Sequence, residues 1–290
     1  MFARKEAAVF AAPPDIDRCV AGTITDGERA SVLATLNAIR AAHRLPPVVY
    51  DRSSEDQAMA AALMMAANGQ LSHQPPKTWR CYSDAGALGA GSSNIAGGLV
   101  SPYLAFSPSR DYVTGWLTDV RNARQGTGHR RWLLSPFLTQ VAFGRVGREG
   151  PDGMRTSAAV LKTFRFASEA PPSGPLPDFV AYPFGNYPAE FYEKGALLSF
   201  APVVDKVDRW NNLKVDLARA AIVVSTPAGV VPSRIEARSN QGLGYTPVLE
   251  FSAGTLVPGT PYHVEVSGIA YGGEPRSYAY DFTLEGPVQR

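Results

Sequence analysis

Gly126-Thr-Gly-His-Arg-Arg-Trp-Leu-Leu-Ser-Pro-Phe-Leu-Thr-Gln-Val-Ala-Phe-Gly144 carries one of the chain's four histidines, His129, in a glycine-flanked turn. Two arginines and an apolar run follow, and then a strand-like segment from Thr139 to Val146. A titratable side chain where helix, loop and strand meet is a candidate site, yet a lone histidine beside apolar residues is more often a packed structural group. What decides between these readings is whether the rest of the chain supplies partners for His129.

The chain has 290 residues, 45% hydrophobic and 19% charged, enough for one large domain or two ordinary ones. A net charge of +2 gives no electrostatic case for nucleic acid or an anionic membrane surface. No apolar run reaches the roughly 18 residues that a spanning helix needs. Residues 1–12 begin like a signal peptide with Arg4 and Lys5, but Glu6 interrupts the approach to an apolar run that is too short. Cys19 and Cys81 leave two readings open: a bridge in an oxidising compartment, or two small hydrophobes in a reducing one. There is no CxxC or Cys/His zinc spacing.

Outward from the quoted stretch, Thr25-Asp-Gly-Glu28 has capping-box form. Val32, Leu36 and Ile39 follow at helical spacing, with Arg29 and Arg40 assigned to the outer face. His43 falls at the C-terminus, where a cation favours the helix dipole, and Pro46-Pro47 stops the helix. A second helix starts at Ser54 and ends at Asn68-Gly69, with its methionines filling the core. Tyr82–Gly98 reads as a flexible glycine- and serine-rich loop; Gly89-Ala-Gly91 lacks both the third glycine and the preceding strand of a dinucleotide motif. Ser107-Pro108 opens a third helix with Tyr112, Val113, Trp116 and Val120 on its apolar face, and residues 157–166 read as a strand. Residues 169–188 are a proline-rich linker by composition. Beyond it, short strands near 197–200, 221–225, 248–251, 262–267 and 278–283 suggest a small immunoglobulin-like β-sandwich, without the usual Cys…Trp…Cys pattern.

Several of these segments resemble the CAP superfamily (cysteine-rich secretory protein, antigen 5 and pathogenesis-related 1; also SCP). They are, in order, Leu36–Val48, Leu71-Ser-His73, Ser93-Asn-Ile-Ala-Gly-Gly98, Trp116-Leu-Thr-Asp119, and Gly128-His129-Arg-Arg-Trp-Leu-Leu with Thr139-Gln-Val. The resemblance implies an α+β chain: an N-terminal extension over 1–25, an α-β-α sandwich over 26–168, the linker over 169–188 and the all-β domain over 189–290. It implies a secreted or periplasmic location and, with it, a Cys19–Cys81 disulfide. It also implies a cleft with two histidines and two acids. By position the histidines are His73 and His129; one acid falls on Asp119, and the other on Ser93, which does not titrate.

Three functions follow. The first is an extracytoplasmic binding or interaction protein whose partner is an unidentified protein, lipid or glycan, with no established catalysis. The second is a hydrolase dependent on zinc or another divalent metal, with His73 and His129 as metal ligands and Asp119 beside them. Serine gives an imidazole weaker support than a carboxylate does, so Ser93 counts against this metal site. The third is a serine hydrolase using Ser93, although no Gly-x-Ser-x-Gly elbow surrounds it. Arg130 and Arg131 are assigned one to an acid and one to solvent, Trp116 and Trp132 to the core, and His263 to the surface or a sheet edge.

Overall fold

A computed structural model describes residues 8–105, 107–164 and 172–286. Parts of several sequence expectations lie outside the described residues: the start of the extension (1–7), the end of the strand expected over 157–166 and of the domain expected over 26–168, the first linker residues (169–171) and the end of the all-β domain (287–290). The chain divides into two compact units: residues up to 36 with 48–113 and 139–169, and residues 37–47 with 114–138 and 170 onward.

The first unit opens with the short strands β1 (Phe10–Ala12) and β2 (Thr23–Ile24). Helix α1 (Asp26–Ala42) starts as expected, with the Thr25 hydroxyl accepting from the Glu28 amide at 3.2 Å. Arg29 does not face solvent: it makes a two-pronged pair with Glu55 at 2.6 and 2.5 Å. Strand β3 (Val49–Tyr50) leads to α2 (Glu55–Asn68), which is buried along most of its length and stops at Gly69 in the left-handed region, φ 60°. Met59, Met64 and Met65 are core, as expected.

The loop expected over 82–98 is instead helix α3 (Asp84–Gly91) and strand β4 (Ser93–Ser101). Ser83 caps α3 by accepting from the Gly86 amide at 3.1 Å. Its glycines serve packing: a Cβ on Gly89 would stand 2.1 Å from the Gln57 carbonyl oxygen, so α3 lies directly on the α2 backbone. Strands β5 (Gln140–Glu149) and β6 (Arg155–Lys162) complete a four-stranded sheet ordered β3-β5-β6-β4. Gly144 in β5 admits α2 on one face, since a Cβ there would meet the Ala58 carbonyl carbon at 2.3 Å. On the other face Arg145 donates to the Ser107 carbonyl at 2.6 Å, and Tyr112 bonds Ser157 at 3.0 Å, both at the start of α4 (Ser109–Thr118). Helices thus cover both faces of this sheet. Cys19 and Cys81 are bonded, 62 positions apart.

The second unit contains α5 (Gly128–Leu133) and two sheets. The strands are β7 (Phe179–Tyr182), β8 (Gly185–Pro188), β9 (Leu198–Pro202), β10 (Ala221–Thr226), β11 (Gly229–Val231), β12 (Ser233–Ser239), β13 (Val248–Ala253), β14 (Tyr262–Tyr271) and β15 (Glu274–Glu285). One sheet runs β11-β10-β14-β15-β8 and the other β12-β13-β9-β7. Aromatic rings join the sheets: Phe200 of β9 stacks on Tyr280 of β15 at 6.2 Å, and Phe179 of β7 meets the same ring at 5.7 Å. Period-2 burial at Tyr262, Val264 and Val266, and at Tyr280, Phe282 and Leu284, supplies the inner face.

Two expectations change here. Residues 179–188 are not linker: they form β7 and β8, and β8 pairs with β15 in parallel. Proline composition had masked them, although Phe179-Val-Ala-Tyr182 is a short apolar strand. Arg40 is fully buried instead of surface-lying, donating to the carbonyls of Pro46, Leu133, Ser135 and Leu138 at 2.8–3.1 Å. It replaces the acceptors' lost water and ties the end of α1 to the segment after α5.

Candidate functional site

Asp119 follows the last residue of α4 and holds a left-handed backbone, φ 52°. A non-glycine residue held there costs about 1–2 kcal/mol. The conformation aims the carboxylate at the start of α5, where Oδ2 accepts from the amides of His129 at 3.0 Å and Arg130 at 3.5 Å. Oδ1 lies 2.8 Å from His129 Nδ1. The Asp119 side chain is 2% exposed and that of His129 22%. An ionised carboxylate only accepts, so Nδ1 of His129 carries the proton and Nε2 of the neutral ring carries the lone pair.

The turn is braced from two sides by residues distant in sequence. Arg130, expected to pair with an acid or face water, is buried and does neither; it donates to the carbonyls of Leu117, Thr118 and Leu197 at 2.6–2.7 Å and lies 3.8 Å over the Tyr182 ring. Arg131 is buried as well, donating to the Thr246 carbonyl at 2.9 Å and the Ser239 hydroxyl at 3.0 Å. Burial pulls its guanidinium down to about 10, opposed by the nearby charge of Glu250. Glu250, itself 3% exposed, accepts from the Thr127 amide at 2.7 Å and the Thr127 hydroxyl at 2.5 Å. Sequence reading missed Glu250; its one signal is an acid inside the otherwise apolar run Val248-Leu-Glu-Phe251. Trp116 is core as expected, whereas Trp132 is half-buried and meets Tyr245 edge-on at 5.6 Å.

His73 and Ser93 belong to the first unit and share a different local role. Three carbonyls at the end of α3 accept side-chain donors: Leu88 from Ser92 at 2.7 Å, Gly89 from Ser93 at 2.6 Å, and Ala90 from His73 Nδ1 at 2.8 Å. The buried Lys162, opposite Ser93 in the β4–β6 ladder, donates to the Ser92 hydroxyl at 2.5 Å. Burial lowers its pKa. Positive charge and hydroxyl donors suit the negative end of a helix, and an ionised acid at position 93 would face carbonyl oxygens it cannot donate to. Ser93 therefore spends its proton on a carbonyl and not on an imidazole.

This bears on metal chemistry. His73 and His129 each have Nδ1 bonded to an oxygen acceptor, the outer bond usual for a metal-bound histidine. Asp119, however, orients His129 and caps α5 with both oxygens, and Ser93 and Lys162 bring no negative charge. Among the described residues no group of three or more His, Cys, Asp and Glu is gathered to hold a metal ion.

The other histidines are structural. His43 is buried, not a helix-end cation: Nδ1 bonds the Ala181 carbonyl at 2.7 Å and Nε2 the Tyr187 hydroxyl at 3.1 Å. Burial pulls its pKa down to about 3. His263 pairs with Asp281 at 2.7 Å on a surface face of β14, a strand with neighbours on both sides.

Residues 33–157 match the family model of the cysteine-rich secretory protein family, CAP. The similarity to the CAP family covers that segment, a little under half of the chain. No match to it was found among curated proteins. The matched segment contains all four positions carried over from the resemblance, His73, Ser93, Asp119 and His129, while Glu250, Leu197, Ser239 and Thr246, which hold Thr127, Arg130 and Arg131, come from beyond it.

Proposed function

We propose that this CAP-type chain is an extracytoplasmic binding protein with no established catalysis, and that the Asp119–His129 pair is its polar recognition group. The observation that carries the reading is the 2.8 Å bond between Asp119 and His129 Nδ1, which commits the ring to one tautomer on a braced turn. A ring held in one orientation on a braced turn suits recognition of a polar group. The alternative of attack by Ser93 loses support because its hydroxyl donates to Gly89. His73 and Ser93 remain in the proposed ligand-facing set on the strength of the resemblance alone. The Cys19–Cys81 bond supports an oxidising, secreted or periplasmic setting, and the facing sheets of the second unit are read as an immunoglobulin-like docking domain. The partner class stays a protein, lipid or glycan.

The test uses the full chain against glycan and lipid-vesicle panels beside a fluorophosphonate probe. The expected result is a retained glycan or lipid whose binding falls about tenfold in His129→Ala, with no label on Ser93. Labelling of Ser93, or a ligand indifferent to His129→Ala, contradicts the reading.

The fixed Nδ1 bonds of both histidines favour a second reading, a divalent-metal hydrolase with His73 and His129 as ligands. Zinc titrated into the full chain would then give saturable heat that either His73→Ala or His129→Ala abolishes; absence of that heat removes this reading.

A further inference from the structure

A cleft of about 310 Å³ opens in the second unit beside the end of α1. Its walls mix apolar and polar surface, with Pro175, Pro177, Phe179 and Phe184 lining it beside His43, Arg44 and Asp178. Phe179 and Phe184 meet edge-to-face at 5.9 Å. This volume is at the lower end of the range for small-molecule sites.

The charges around it are unequal. Asp178 is engaged, accepting from the Lys206 ammonium at 2.7 Å. His43 is held neutral at the floor with both ring nitrogens bonded. Arg44 sits 4.5 Å over the Phe184 ring, and among the described residues its guanidinium has neither a hydrogen-bond acceptor nor an ion-pair partner. It is therefore the cleft's uncompensated cation. Arg44 also holds a left-handed backbone, φ 57°, at the position just past α1 where glycine is the usual residue. That conformation lets the side chain reach Phe184 at a backbone cost glycine would avoid.

We infer that this cleft binds a small aryl carboxylate, its carboxylate held by Arg44 and its ring between Phe184 and the Pro175–Pro177 wall. A guanidinium fork matches a carboxylate two-pronged, and the stacked Phe184 ring fixes the fork's plane. A neutral aryl compound gains the apolar wall but not the fork, and an aryl ammonium is repelled by it. The inference is independent of the Asp119–His129 reading and shares no residue with it.

The test follows 4-fluorophenylacetate by fluorine NMR against the full chain, with 4-fluorobenzyl alcohol as the neutral counterpart. Wild type is expected to bind the acid saturably and the alcohol at least about tenfold more weakly. Arg44→Gly suits the left-handed backbone, so it is expected to keep or raise the melting temperature while weakening the acid at least about tenfold. Phe184→Ala should weaken acid and alcohol alike. No saturable binding by wild type, equal binding of the alcohol, or undiminished binding by a folded Arg44→Gly overturns the inference.

Discussion

Glu250→Ala is expected to be among the most damaging single changes in the β-sheet unit. The side chain is 3% exposed and accepts from both the amide and the hydroxyl of Thr127, a residue 1% exposed. Its removal leaves two buried donors unsatisfied and deprives the buried Arg131 of its opposing charge. Hydrogen bonds to a charged group are worth about 1.5–3 kcal/mol each, and stripping one partner from a buried pair costs about 3–5 kcal/mol. We expect Glu250→Ala to lower stability by about 3–5 kcal/mol. Glu250→Gln keeps an acceptor for the Thr127 amide and loses the charge, for about 1–2 kcal/mol. Urea unfolding read at constant slope measures both, and Thr127→Ala closes a double-mutant cycle in which the pair should prove strongly coupled. Because Thr127 leads into α5, Glu250→Ala should also broaden or shift the ring signals of His129, ten residues from its Asp119 partner in sequence but anchored through this turn. A Glu250→Ala loss within about 0.5 kcal/mol, the range of an ordinary surface substitution, would refute the bracing role.

Other expectations follow from the same contacts. His43 is neutral when folded and protonates near its usual value of 6.5 when unfolded, its folded pKa lying at about 3. Acidification therefore favours the unfolded state through that window, with about 2 kcal/mol lost by pH 5; a His43→Gln variant compared by urea unfolding at pH 8 and 5 should lack this component. Arg40→Lys cannot reproduce the fork to four carbonyls and is expected to cost about 3–5 kcal/mol in the same assay. Reducing the Cys19–Cys81 bond, which spans 62 positions, should cost about 4 kcal/mol, seen as a lower unfolding midpoint in reductant.

Local signals carried much of the fold. The Thr25 cap and the Gly69 stop are interactions between near neighbours and formed where the sequence placed them, as did the alternating strand at 262–267, whereas the strands at 229–231 and 233–239 were not expected. What stayed hidden depends on long-range packing. Gly86 and Gly89 look like loop residues until α2 lies against them. Arg40, Arg130 and Arg131 look like surface cations because the carbonyls that accept from them are supplied by distant turns and strands. For the site, the motif around Trp116–Asp119 and Gly128–His129 led to the one pair that is bonded. At position 93, where the resemblance implies an acid, the serine hydroxyl donates to an α3 carbonyl, a contact that sequence could not display.

Asp119 fixes the tautomer of His129. Ring nitrogen–proton correlation spectra of the neutral imidazole measure this directly, with His129→Gln used to assign the signal. Wild type is expected to show a protonated Nδ1 and an unprotonated Nε2, with that preference lost in Asp119→Ala. A ring protonated at Nε2, or one that Asp119→Ala leaves unchanged, would contradict it.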